Sequence, residues 1–167
     1  MGISPFVIDK SALLTAVVAK LEADLALQTR AANLARDEAT NEESRAESKW
    51  DTRGQEAAYL AEGQAKLATE LMEAITLFKD LDVSPHPPPA TIRPGTVFQL
   101  RQPNGSVMHG LIGPRCGGTE VEIASITIVL VTPISPLGRE VIGRKAGDTV
   151  HLIERRKPRA HKILDTW

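Results

Sequence analysis

The chain has 167 residues, of which 42% are hydrophobic, 25% charged and only 4% aromatic, and its net charge is −1. That length holds one domain or two small ones, the near-neutral charge excludes a general nucleic-acid coat, and the shortage of aromatics excludes a base-stacking platform. A single cysteine, Cys116, excludes an internal disulfide and any multi-cysteine metal site.

The first ten residues, MGISPFVIDK, lack the apolar core of a signal peptide. No apolar run approaches the roughly 18 residues that a membrane span needs, so a cytoplasmic location without membrane contact is expected. Composition then breaks near residue 84. Between Lys10 and Asp82 there is no proline, and alanine and charged residues dominate; beyond it prolines and β-branched residues take over. Three regions follow: a helical segment over 1–83, a proline-rich linker over 84–92 and a β-rich domain over 93–167.

In the helical segment, Asp9 or Ser11 is placed to cap a first helix. A seam runs through Leu14, Val18, Leu21, Leu25, Gln28, Ala32, Ala35 and Ala39, and a second through Ala57, Ala61, Ala65, Ala68, Met72, Ile75 and Phe78. The first grades from large to small side chains and the second from small to large. An antiparallel coiled-coil hairpin satisfies both, with Leu14 near Phe78, Leu25 near Ala68 and Ala32 near Ala61. At ~1.5 Å per residue such an arm reaches roughly 50 Å. Its poor core suits reach better than stability. The turn region, 36–53, holds six acids, Asp37, Glu38, Glu42, Glu43, Glu47 and Asp51, nearly balanced by Arg36, Arg45, Lys49 and Arg53. It reads either as a solvated hairpin end or as a carboxylate cluster able to hold a hard cation such as Mg²⁺ within a partner's site. Trp50 either packs on the hairpin end or contacts a partner.

The linker, Ser84-Pro85-His86-Pro87-Pro88-Pro89, is stiff and extended. Its His86, like His109, His151 and His161, lacks metal-ligand spacing and reads as a surface or strand histidine. Beyond it, strands are expected over 96–101 and 106–112 around the Asn104-Gly105 turn, and over 121–131 with a break near Ala124-Ser125. Pro133 and Ser135-Pro136 lead into a short helical run, Leu137–Arg144, and Ala146-Gly147-Asp148 turns the chain into a strand over 149–153. A last hairpin joins 151–154 to 161–164 across Arg155–Ala160. A strongly curved sheet with one short helix is the simplest package. The cluster Arg155, Arg156, Lys157, Arg159 and Lys162 is either a solvated hairpin or a contact for an acidic protein or RNA.

The order of residues in VTPISPLGREVIGRKAGDTV, Val131–Val150, resembles the signature of the C-terminal domain of the bacterial Gre transcript cleavage factors. The shared features are Ser135-Pro136 ahead of a short helix, Ile142-Gly143-Arg144, then Gly147-Asp148 and a strand. Arg93–Val97 and Lys162–Leu164 match the domain's edges, so the resemblance covers about 75 residues. It implies an α+β protein, a coiled-coil hairpin followed by an FKBP-like domain, that binds bacterial RNA polymerase. The C-terminal domain would dock at the rim of the secondary channel, with Ser135, Pro136, Leu137 and Gly138 as first candidates for contact. The hairpin would enter the channel, near backtracked RNA, and its tip carboxylates would help hold Mg²⁺ and water at the polymerase's own active site. The chain would then be no enzyme by itself and have no cofactor of its own, only Mg²⁺ shared with the polymerase.

Gre factors carry an Asp and, three residues on, a Glu at the tip. Aligned from the first helix, Thr40 takes the Asp position and Glu43 the Glu; aligned from the second, Glu43 takes the Asp position and Ala46 the Glu, beside Glu47. Glu43 is acidic in both, which ranks it first as the catalytic-assisting and metal-holding residue, with Glu42 and Glu47 as helpers. Two other functions fit the sequence. One is a Gre-fold regulator of the channel without cleavage stimulation, resembling Rnk-type proteins or competing with true cleavage factors. The other is an FKBP-like folding helper whose coiled coil grips clients.

Overall fold

The computed structural model describes residues 8–40, 53–84 and 91–167. The architecture is α+β: helices α1 (Lys10–Thr40) and α2 (Arg53–Lys79) form an N-terminal hairpin, and six strands with one short helix follow. The chain falls into two compact units, Ala19–Thr76 in one and Met1–Val18 with Leu77–Trp167 in the other. The division therefore runs through both helices. No helix of the described residues is long and apolar enough to cross a membrane.

Asp9 caps α1, its Oδ1 accepting from the amides of Ser11 (3.0 Å) and Ala12 (3.1 Å). Within the hairpin unit, Leu21, Ala35, Ala57, Ala68, Ala74 and Ile75 are buried. The second seam differs from the sequence expectation at two places: Gln64 and Leu71 are half-buried, whereas Ala65 is exposed and Met72 is 50% exposed. The positions 57, 61, 64, 68, 71, 75 and 78 alternate steps of four and three throughout, and this helical spacing sets the buried stripe even where it takes Gln64 over the more apolar Ala65. On α1 the base is likewise shifted by one, with Leu13 and Val17 buried and Leu14 and Val18 half-buried. Gln28 and Gln64 carry side-chain oxygens that are buried with no hydrogen-bond partner among the described residues.

The strands are β1 (Val97–Arg101), β2 (Val107–Ile112), β3 (Glu120–Ile123), β4 (Ile126–Val131), β5 (Thr149–Glu154) and β6 (Lys157–Thr166), with α3 (Pro136–Val141) between β4 and β5. They form one sheet in the order β3-β4-β2-β1-β6-β5, antiparallel except for β2 with β4. Its core gathers Phe98, Leu100, Ile112, Val131, Val141, Val150 and Ile163 around Ile92. Burying each such side chain contributes about 1.5–3 kcal/mol. Glycines make room where the packing is closest. Phe98 lies opposite Gly110 and its ring occupies the space a side chain there would take. Phe78, at the end of α2, sits in the same way over Gly113.

The last hairpin is tighter than expected. Only Arg155 and Arg156 turn the chain, and β6 starts at Lys157, so Pro158 lies inside a strand. It is tolerated because β1 pairs with β6 only from Lys162 onward, leaving the outer half of β6 with a single neighbour, β5.

Near the start of α1, Lys10 is buried and donates to the Ser84 carbonyl at 3.1 Å. Desolvation holds its ammonium below the ordinary lysine range; Asp82 opposes this and Arg93 adds to it. Across the β1–β2 register, Gln99 Nε2 lies 3.2 Å from His109 Nε2. An amide nitrogen only donates, so this histidine nitrogen accepts and the ring is neutral. Desolvation acts in the same direction, lowering the His109 pKa from 6.5. The unfolded chain therefore binds the proton first as pH falls. The stabilisation is complete above 6.5 and declines as pH drops toward the folded-state value. Urea unfolding of His109→Gln should show a shallower loss of stability below pH 6.5 than the parent chain; an unchanged slope would mean that His109 is not buried in its neutral form.

Candidate docking groove

The signature stretch is built around the end of β4. Ser135 is the N-cap of α3, with φ −68° and ψ 157°. Its hydroxyl donates to the Thr132 carbonyl (2.8 Å) and accepts from the Gly138 amide (3.0 Å). Pro136 follows at the first helical position, where its missing N–H costs nothing. Gly138 is buried against the backbone, and a Cβ there would lie 2.0 Å from the Thr132 carbonyl oxygen, a severe overlap. The order Ser-Pro-Leu-Gly is thus a cap, a helix start and a close approach in sequence.

The helix is shorter than the 137–144 run expected, because Ile142 already leaves helical geometry with ψ 134° and Gly143 completes the turn with φ 79°. Arg144 and Lys145 consequently lie past its end. The Gly143 amide then donates to Ile92 O (2.8 Å), and the Ile92 amide donates to Arg144 O (2.7 Å). This two-bond clamp fixes the segment that enters β1.

Beside α3 lies an open groove of about 920 Å³. Its floor and walls are mainly apolar, from Val129 and Leu130 of β4, Leu137 of α3 and Leu152 and Ile153 of β5, with Arg139, Glu140, His151 and Glu154 among the polar residues. Strands β4 and β5 are far apart in the sheet order yet line one groove, so the sheet bends round α3. Ser135, Pro136 and Leu137 line this groove, whereas Gly138 lies beneath it and shapes the turn. Sequence reasoning missed the β5 wall. Ile153 is 73% exposed there, and with Ile134 at 76% it is among the most exposed large aliphatic residues described in this unit. The signal available was an isoleucine at the outer end of an edge strand.

The β5–β6 hairpin leaves one side of this groove. Arg155 and Arg156 occupy its turn with φ 48° and 65°. The β3–β4 turn has the same backbone, with Ala124 at 49° and Ser125 at 63°. Both are two-residue turns of the kind that Asn-Gly normally fills, and a non-glycine residue so placed costs about 1–3 kcal/mol. His161, 3% exposed on β6, directs Nε2 to Glu154 (2.9 Å) and Nδ1 to Arg159 O (3.0 Å). A smaller cleft of about 260 Å³ lies between this hairpin and the β1–β2 turn.

Glu42, Glu43 and Glu47 lie outside the described residues, as do Trp50 and Pro85–Ala90 of the linker. Among the described residues no group of three or more His, Cys, Asp or Glu side chains is placed to hold a metal ion. Cys116 is half-buried with φ 57° in the loop after β2.

No family model matches the chain, and neither does any curated protein. Several solved structures are similar to it, among them three of Gfh1. GreA factor homolog 1 (Gfh1) of Thermus thermophilus shares 15% identity at a TM-score of 0.37, over 90% of this chain and 94% of that one. Gfh1 of Thermus aquaticus shares 14% at 0.38, over 94% and 93% respectively. A further structure of the transcription factor Gfh1 shares 16% at 0.37, over 90% and 93%. At these scores the likeness carries no argument, and the α+β architecture rests on the elements described above.

The cap and the close approach make separate predictions. Ser135→Ala should lower unfolding stability by about 1 kcal/mol, through the lost bond to Gly138. Gly138→Ala should cost about 1–3 kcal/mol, through overlap with the Thr132 carbonyl. Urea titration of both variants checks this, and a neutral Gly138→Ala would show that the turn is slack.

Proposed function

We propose that this chain is a Gre-type elongation factor, which binds bacterial RNA polymerase at the secondary channel and promotes rescue of backtracked complexes by stimulating the polymerase's own transcript cleavage. The observation that carries this reading is the Ser135–Gly138 turn. The residues that resemble the Gre signature form one rigid cap-and-helix unit, and three of them line an apolar groove on a domain preceded by a helical hairpin. The groove supplies what a protein partner needs, an apolar centre with a charged rim. Ile153 and Leu137 provide the centre; Arg139 and Glu140 provide part of the rim.

In this reading the chain does no chemistry alone. Glu43, with Glu42 and Glu47, would offer hard oxygen ligands to a Mg²⁺ shared with the polymerase, which would polarise phosphate and water. The protein's own part is to deliver those carboxylates and to hold the domain at the channel rim. The site of action is the cytoplasm, next to backtracked RNA.

A second reading is favoured by the tip sequence. Neither register of the hairpin keeps both the Asp and the Glu of the Gre pattern, since Thr40 or Ala46 falls at one of the two positions. A factor that occupies the channel without stimulating cleavage would tolerate that loss.

The experiment is transcript cleavage in a stalled, backtracked polymerase complex, paired with a binding measurement. The parent chain should bind and accelerate cleavage. Glu43→Gln should bind equally but lose the acceleration, while Ile153→Glu, a change at an exposed position, should weaken binding about tenfold or more. Binding without cleavage would select the channel-occupying reading. No binding would sink both, and prolyl isomerase or anti-aggregation activity would then be assayed for an FKBP-like folding helper.

A further inference from the structure

We propose that the cleft between the β1–β2 and β5–β6 turns, with the cations around it, binds the phosphodiester backbone of single-stranded nucleic acid. This is a second surface, and it does not depend on the polymerase reading. Four observations lead to it.

The first is unbalanced charge. Arg101, Arg155, Arg156, Lys157, Arg159 and Lys162 are all exposed, and none has a salt bridge among the described residues. The one acid on the cleft, Glu154, is engaged by His161. In a chain of net charge −1 this is a local excess. The second is like-charge opposition. Arg101 and Lys162 are direct partners in the β1–β6 register, on the sheet face opposite Ile163 and Arg159, so these two cations add positive potential behind the cleft without lining it. The third is the turn itself. Its backbone demands two positive φ angles, which Asn-Gly or the small residues of the β3–β4 turn supply with less bulk. Here two arginines occupy it, and the strain holds two guanidinium groups at the very end of the sheet.

The fourth observation separates nucleic acid from an acidic protein. The cleft is lined by Gln102, Asn104, Arg155 and Arg159, with Pro103 and the engaged Glu154 completing it. It lacks the apolar centre that protein interfaces use, and nucleic-acid interfaces are more polar and more positive than those. Guanidinium forks match phosphate oxygens in pairs, and amides add donors and acceptors for sugar hydroxyls and base edges. No aromatic side chain lines the cleft. Stacking is therefore not offered, and recognition is of the backbone, tolerant of sequence and steep in salt.

The test is fluorescence anisotropy of a labelled oligouridine of about 12 nucleotides with the whole chain, over a series of salt concentrations. Arg155→Asn combined with Arg156→Gly restores the turn's preferred residues, so this variant should melt no lower than the parent and still lose two guanidiniums. Its affinity should fall about tenfold or more, as should that of Arg159→Glu, and its salt slope should be shallower by about one unit or more. Arg30→Gln, a charge lost on α1, should leave affinity unchanged. Undiminished binding by both hairpin variants would overturn the proposal. So would equal displacement of the oligonucleotide by polyglutamate at matched charge, which would make the site one for acidic polypeptide.

Discussion

The carbonyl of Thr132 is the point on which the sheet unit turns. It receives the hydroxyl of Ser135 at 2.8 Å and the Ser135 amide at 3.1 Å, and Gly138 packs directly against it. Those contacts set the direction of α3 as it leaves β4. The direction of α3 in turn places Val141 in the core and Leu137 at the groove. It also delivers Gly143 and Arg144 to the clamp on Ile92, from which the chain enters β1. One backbone oxygen thus links the end of β4, the groove and the start of the central strands. Buried carbonyls need partners, and here the partner is a side chain that simultaneously caps a helix.

Much of this was legible in the sequence, because the relevant signals are local. Asn-Gly at 104–105, Ser-Pro at 135–136 and Gly-Asp at 147–148 each specify a turn or cap through their own backbone preferences, and each lies where those preferences place it. The α+β division was legible from the absence of proline over one stretch and its abundance in the other. What escaped was set by distance or by competition. The hairpin seam follows strict helical spacing through Gln64 and Leu71; apolarity prefers Ala65 to Gln64 and does not point away from Leu71, so only the spacing decides the register. The β5–β6 turn was read too long, since nothing in Arg-Arg-Lys-Pro announces two positive φ angles; tertiary pairing imposes them. The β5 wall of the groove depends on the bend that brings two distant strands together, and no local pattern encodes that.

Strand β5 lends itself to two different surfaces. Along Leu152 and Ile153 it walls an apolar groove, and one residue beyond Glu154 it opens into a charged turn. Burial of apolar area and attraction of phosphate respond oppositely to salt, because added salt screens charge while leaving apolar association intact or strengthened. The two surfaces can therefore be separated in solution even though they share a strand.

The seat of Phe78 over Gly113 has a consequence for the order in which the unit forms. Phe78 is fully buried, and Gly113 is held by a bond from its amide to Val131 O at 3.0 Å. That bond accompanies the parallel pairing of β2 and β4, two strands separated in the chain by a loop and β3. Parallel pairing of this kind is non-local and slow to form. The end of α2 has no finished seat before then, so its docking belongs on the late side of the folding barrier. Truncation of that ring would hasten unfolding while leaving the early steps of collapse as they were.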